Sequence, residues 1–191
     1  MNETEKEIKK YFKRLDRSFY MEEDKEKAHL DHAFSIGYGQ TISQPSLVLD
    51  MTLALDLRPE HKVLEIGTGS GFQTNLLARF SSEVFTIERI APLQEKAEQK
   101  LTASGFENIH FRLGNGSEGW PEAAPFDRIM VTAAAETVPS KLIDQLKEGG
   151  KMIIPVGDMN LQELLLLHKK TSGKIVKKQL AHVRFVKLHD K

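Results

Sequence analysis

Three glycines, Gly67, Gly69 and Gly71, follow the apolar run Val63-Leu64-Glu65-Ile66 and precede a helical pattern that starts at Phe72. Glycine permits a tight strand-to-helix turn and lets a ligand approach backbone N–H groups with no Cβ in the way. The dinucleotide fingerprint wants its third glycine three positions after the second, and Phe72 holds that place, so a pyrophosphate is disfavoured. Glu65 argues in the same direction, because a carboxylate at the strand end repels phosphate and suits a ligand carrying an ammonium and a sulfonium. The next apolar run, Val84-Phe85-Thr86-Ile87, ends in Glu88, at about the 20-residue distance where an acid accepts from ribose hydroxyls. Neutral ribose fits there; a 2′-phosphate is repelled. A third run ends in Gly114-Asn115-Gly116, where Asn115 is placed to hydrogen-bond an adenine edge, although the same tripeptide also reads as a plain tight turn.

These residues need a frame that brings several strand ends to one edge. Strand and helix patterns alternate over 62–66, 72–80, 83–87, 91–103, 109–113, 126–132, 139–146 and 151–155, which predicts a parallel sheet flanked by helices. The tail differs: 161–169 and 177–186 read as two strands joined by a turn at 171–173, an antiparallel hairpin. The fold class is therefore α/β and Rossmann-like, mostly parallel with an antiparallel end. Ahead of it, 2–31 is charged and carries Ile8, Tyr11, Phe12, Leu15 and Phe19 at spacings of three and four, which predicts an amphipathic helix packed on the core. Residues 35–45, rich in glycine and small polar types, predict an irregular segment, with Pro45 opening a helix over 46–57. The expected layout is one domain over 1–191: a helical extension at 1–34, a loop at 35–45 and a core at 46–191.

Composition narrows the function. Lysine plus arginine and aspartate plus glutamate number 27 each, so no net positive field is available to hold phosphate backbones, and no nucleic-acid partner is expected. Zero cysteines exclude a disulfide framework, a thiolate metal site and a cysteine nucleophile, and suit a reducing compartment. No run approaches the roughly 20 apolar residues of a membrane span, and residues 1–10 do not read as a signal peptide, so the chain is expected to be soluble and cytoplasmic; a monomer is the default expectation, which the sequence leaves open. No metal ligands stand out, and the seven histidines are read as surface or packing residues.

The segment Ile36-Gly37-Tyr38-Gly39-Gln40-Thr41-Ile42-Ser43-Gln44-Pro45 closely resembles the signature that precedes the core of protein-L-isoaspartate O-methyltransferases. The glycine loop, Thr86-Ile87-Glu88-Arg89, Ala124-Pro125-Phe126-Asp127 through Thr132-Ala133-Ala134-Ala135, 146–157 and Val183-Arg184-Phe185-Val186 resemble the same family in order, over about 17–188. The resemblance implies methyl transfer from S-adenosyl-L-methionine to the carboxylate of L-isoaspartyl residues in damaged proteins. It implies Ser43 as the active-site residue, with Gln40, Thr41 and Ile42 beside the acceptor. It implies a cofactor set of Glu65, Gly67, Thr68, Gly69, Ser70, Gly71, Glu88, Arg89, Gly114, Asn115, Gly116 and Thr132. Because a carboxylate is already ionised near neutral pH and a sulfonium is already electrophilic, such a reaction needs no triad. Ser43 then orients the acceptor, and a second reading of it is a helix cap before Pro45. The chain departs from the family at Asn115, where aspartate is usual, at 28–35, where a tyrosine and prolines are missing, and at Lys187, where proline is usual. Those departures keep two alternatives in play: a family methyltransferase with another carboxylate or small-molecule acceptor, and a cofactor-binding module without transfer.

Overall fold

The computed structural model of the protein describes residues 3–158 and 160–189, so the expected helix start at Asn2 and the chain's last residue, Lys191, lie outside the described residues. The first helix, α1 (Glu3–Phe12), has Glu3 and Glu5 in its first turn and Lys9 and Lys10 in its last, each facing the helix end of opposite partial charge. It is shorter than the sequence pattern predicts. The Asp16 side chain caps a 3-10 turn at Arg17–Tyr20 by accepting from the Ser18 N–H at 2.9 Å and the Ser18 hydroxyl at 2.7 Å. A left-handed Asp24 then opens a second turn at Lys25–Lys27. The apolar stripe still packs as expected up to the break: Ile8 is buried, and Tyr11, Phe12 and Leu15 join the cluster around Tyr20, Ile42 and Phe72. Phe19, beyond the break, is 44% exposed, because helical spacing no longer sets its direction.

The segment expected to be irregular is instead a small antiparallel hairpin, β1 (Phe34–Gly37) and β2 (Gln40–Ile42), with Phe34 paired to Ile42. Its tip needs a left-handed backbone at Gly37, Tyr38 and Gly39 (φ 85°, 56° and 70°), and two of those three positions are glycine. Helix α2 (Pro45–Leu55) follows with Pro45 in its first turn, where a missing N–H costs nothing.

The main sheet contains β3 (Lys62–Ile66), β4 (Glu83–Glu88), β5 (Ile109–Leu113), β6 (Phe126–Val131), β7 (Leu146–Gly157), β8 (Gln162–Lys169) and β9 (Ile175–Val183). Helices α3 (Phe72–Arg79), α4 (Ala91–Ala103) and α5 (Ser140–Gln145) connect its parallel part. The order is β5-β4-β3-β6-β7-β8-β9; the first five are mutually parallel, and β8 and β9 run antiparallel to their neighbours. Bounds agree with the sequence pattern to within about a residue except at two strands. β7 begins at Leu146 because the chain bulges between Leu146 and Lys151, across Gly149 and Gly150, and still pairs with β6 at both ends. β9 stops at Val183 because the chain then leaves the sheet: the Phe185 N–H donates to Gln162 Oε1 and Lys187 bridges to Ala134.

β3 sits in the middle with Val63, Leu64, Glu65 and Ile66 all buried. Leu64 and Ile66 join one face cluster with Ile129 and Met152; Val63 joins the other with Leu77, Met130 and Ile153. Strand order reverses between β3 and β6, and at such a switch point the carboxyl strand ends leave a crevice.

Candidate functional site

That crevice is an open cleft between the glycine loop after β3 and the turn from β2 into α2. Its floor is the loop after β3. The Gly67 N–H donates to the Ile87 carbonyl at 2.8 Å and the Thr132 N–H to the Ile66 carbonyl at 2.9 Å, so the parallel ladder continues one step past the strands. The Thr132 hydroxyl adds bonds to the Ile66 and Gly67 carbonyls at 2.9 and 2.8 Å. A Cβ on Gly67 would run into that hydroxyl, and Gly67 has φ 94°, so this close approach requires glycine.

Glu88, at the end of β4, is pinned by backbone donors. Its Oε2 accepts from the Gly69 N–H at 2.9 Å, and its Oε1 accepts from the Arg89 and Ile90 N–H groups at 2.8 and 3.0 Å. An ionised carboxyl offers about four lone-pair sites, so these bonds leave one open, on Oε2. Glu88 is buried by neighbouring protein yet lines the cleft.

The opposite wall comes from β2 and the turn into α2. Ser43 lines the cleft, and its hydroxyl makes no hydrogen bond to another described residue. It is not the helix cap: Gln44 occupies that place, and the Ser46 N–H and hydroxyl donate to Asp31 at 2.8 and 2.7 Å, so Asp31 serves the start of α2. These two bonds hold the Asp31 carboxyl below the usual carboxylate range. Beneath Ser43 lies Arg17, a buried residue that is 5% exposed. It donates to the carbonyls of Ala28 and Leu30 at 3.2 Å each, His32 at 2.6 Å and Ser43 at 3.0 Å, and stacks over Phe34. One buried cation thus ties the 28–34 strap to the backbone of Ser43.

Gln40, Thr41, Ile42, Ser43, Gly67, Thr68, Gly69, Ser70, Glu88, Arg89, Gly114, Gly116 and Thr132 all line this one cleft. Three expected ligand contacts do not. Glu65 is fully buried under the loop, its Oε2 accepting from the Thr74 and Thr86 hydroxyls at 2.6 and 2.7 Å and its Oε1 without a partner among the described residues. Desolvation outweighs those two bonds and pushes its carboxyl up to about 8. Gly71 turns its Cα toward Ala97 and Leu101 of α4, so that glycine serves packing. Asn115 Oδ1 accepts from the Ser117 N–H and hydroxyl at 3.0 Å each, capping the 3-10 turn Gly116–Glu118. The sequence reading missed the tail: Phe185, Val186, Lys187, Leu188 and His189 close one side of the cleft. Its signals were the position of this segment, next after the last strand, and the family resemblance of Val183-Arg184-Phe185-Val186, neither of which pointed to the cleft. The apolar residues Ile36, Met51 and Phe72 were also missed, being indistinguishable in sequence from ordinary core.

A family model described as protein-L-isoaspartate(D-aspartate) O-methyltransferase matches residues 2–191. The chain belongs to this family. The protein-L-isoaspartate O-methyltransferase of Opitutus terrae is 49% identical over 168 residues, which are 88% of this chain and 72% of that protein. That of Dictyoglomus turgidum is 50% identical over 161 residues, 84% of this chain and 73% of the relative. Among solved structures, a protein-L-isoaspartate O-methyltransferase superposes with a TM-score of 0.82 at 27% identity; the match covers 96% of this chain and 64% of that one. A structure described as the protein-L-isoaspartate O-methyltransferase of Plasmodium falciparum, in complex with S-adenosyl-L-homocysteine, gives 0.78 at 25% identity over 100% of both chains. For this member of the family, the glycine loop and the Ser43 wall are the two halves of one cleft at the switch point.

Proposed function

We propose that this chain transfers the methyl group of S-adenosyl-L-methionine to the carboxylate of L-isoaspartyl residues in damaged proteins, which starts their repair. The observation that carries the reading is the shared cleft: a serine hydroxyl with no hydrogen-bond partner among the described residues lies on one wall, and a glycine loop locked to Glu88 forms the other. The cleft fits the cofactor. The open lone pair on Glu88 Oε2 takes a ribose hydroxyl, and the N–H-rich loop at Gly67, Thr68, Gly69 and Ser70 tolerates close approach because the nearest protein atom to a Cβ on Gly69 would be Ile36 Cδ1, at 3.6 Å. Gly114 and Gly116 line the neighbouring strand end, where Gly116 packs closely against Ile66.

The bound cofactor supplies a sulfonium-activated methyl group. The chain supplies placement. The Ser43 hydroxyl donates to the acceptor carboxylate and fixes which oxygen points inward, with Gln40, Thr41 and Ile42 beside it. Ile36, Val48, Met51, Phe72 and Phe185 exclude water from the same space. Exclusion favours the reaction because attack neutralises an anion and a cation that bulk water would stabilise apart. No proton moves before transfer, so no general base is needed. Two further elements of this reading are a cytoplasmic location and a monomeric state. Among the described residues no helix is long and apolar enough to cross a membrane.

The test is transfer of labelled methyl to two peptides that differ only in an L-isoaspartyl or a normal aspartyl linkage. Base-labile label on the isoaspartyl peptide alone is expected. Label on neither peptide, with cofactor binding demonstrated, would overturn the acceptor.

A further inference from the structure

The balanced composition conceals a strong asymmetry. Seven of the 27 basic residues but one of the 27 acidic residues fall within 160–189, so that stretch carries +6 and the rest of the chain −6. The positive charge lies on β8, β9, the turn between them and the segment leading to the cleft. Lys174, Lys177, Lys178 and Arg184 are exposed, and none has an acidic partner among the described residues. Elsewhere surface cations mostly sit beside acids, as Lys100 does with Glu22 and Lys147 with Asp127.

β9 is also the last strand of the sheet order, and among the described residues no strand pairs with its outer edge. An open edge offers a row of N–H and C=O groups to an extended chain. Its carboxyl end runs directly into Phe185, Val186 and Leu188, which line the cleft. Unpaired cations, an open ladder and a continuous path to the site therefore coincide. We propose that β9 and its lysines form a docking ribbon for an extended, acidic stretch of the polypeptide substrate, and that the ribbon feeds the isoaspartyl residue into the cleft. This rests on the proposed methyl transfer and names the substrate class the chain takes best.

Other occupants fit less well. A second copy laid along the same edge would bring Lys177 and Lys178 against other lysines, which repel. Single-stranded nucleic acid calls for aromatic stacking platforms, and residues 160–184 contain no Phe, Tyr or Trp. A strand rises about 3.3 Å per residue, so Lys178 and Phe185 are separated by roughly 23 Å of extended chain. The acidic stretch is therefore expected about five to eight residues from the isoaspartyl position, not beside it.

The experiment uses isoaspartyl peptides of equal length in which a block of four residues, about seven positions away on either side, is glutamate, glutamine or lysine. At low salt the glutamate peptide is expected to exceed the glutamine peptide about tenfold in kcat/KM, with the lysine peptide lowest. The order should collapse at about 0.5 M salt as the charges are screened. K177E/K178E should reverse the order while leaving cofactor affinity, the melting temperature and turnover of the glutamine peptide unchanged. Equal kcat/KM for all three peptides would overturn the ribbon while leaving the methyl-transfer reading intact. No transfer to any peptide would overturn that reading instead, and fluorescence anisotropy of the same labelled peptides then tests the ribbon by binding alone. Tighter binding of single-stranded RNA or of anionic phosphatidylserine vesicles than of the glutamate peptide, or a dimer lost in K177E/K178E, would also overturn it.

Discussion

Glu65 and Ser43 show how differently single residues can be read. Adjacency to the glycine loop made Glu65 look like a ligand contact, but strand alternation turns it under the loop, into a site with two threonine hydroxyls and no cation. Sequence cannot reveal that the next strand and the next helix will supply Thr86 and Thr74. The consequence is a pH signature. Unfolded, this carboxyl titrates near 4.5; folded, burial holds it up to about 8. Between those values the native state keeps a proton that the unfolded chain has released. Glu65 therefore subtracts stability progressively from about pH 4.5 to about pH 8, by at most about 1.4 kcal/mol per pH unit. Glu65→Gln keeps the acceptor for both threonines and cannot ionise. Its melting temperature should fall less between pH 5 and pH 8 than that of the wild type, whatever its absolute level; an identical slope would show that Glu65 does not hold a proton. Ser43 is the opposite case, invisible to composition and periodicity and legible only through the family resemblance. Its free hydroxyl predicts that Ser43→Ala loses about 100-fold or more in turnover, in line with removal of one orienting donor at a reacting centre. Cofactor affinity measured by calorimetry should stay within about twofold.

At the scale of elements, long periodic segments were legible because each has one dominant pattern: buried runs for the parallel strands, and apolar spacing with a proline in the first turn for α2 and α4. Short elements set by side-chain-to-backbone bonds were not. The stripe that predicted helix to residue 31 was interrupted by the Asp16 cap and the left-handed Asp24, and the loop at 35–45 proved to be a hairpin because its glycines flank a turn. The tail of the cleft, 185–189, lacks any period at all. Two predictions belong to this scale. Gly67→Ala pushes a Cβ into the Thr132 hydroxyl that bonds back to Ile66 and Gly67, at φ 94°, so the β3 and β6 ends must part. Cofactor affinity is expected to fall at least tenfold, while far-ultraviolet circular dichroism keeps its native shape; unchanged affinity would mean that the loop does not contact the ligand. Asp31→Ala removes the acceptor at the start of α2 and should cost about 1 kcal/mol in urea unfolding. Because that carboxyl titrates below its usual range, its contribution is complete above about pH 4 and disappears only as the pH falls through the lowered value. Wild type and Asp31→Ala should thus differ in stability at neutral pH and converge only in acid below the usual carboxylate range.

For the whole molecule, the two halves of the cleft are built from different parts of the fold. The cofactor half belongs to the sheet's switch point, whose crevice follows from the order of parallel strands. The acceptor half is carried by residues 28–43, which join the sheet through no strand pairing and are held instead by Arg17, Asp31 and the cluster around Tyr20 and Phe72. This division was only partly legible, since the sequence marked both halves but gave no sign that a guanidinium 26 residues away would set the position of Ser43. It leads to a separable loss of function. Arg17→Met keeps an apolar stem but loses the guanidinium over Phe34 and leaves four carbonyls without their donor, a cost of about 3 kcal/mol or more. Arg17→Lys retains the charge and reaches at most some of these acceptors. Hydrogen exchange in Arg17→Met is expected to accelerate over 28–43 and to stay near wild type in β3, β4 and β6. Transfer should divide along the same line: kcat/KM for an isoaspartyl peptide falls about 100-fold, affinity for the cofactor changes little, and Arg17→Lys recovers part of the peptide term. A uniform loss of exchange protection across the sheet, or an equal fall in affinity for both ligands, would mean that Arg17 stabilises the fold as a whole and that the acceptor half is not an independent unit.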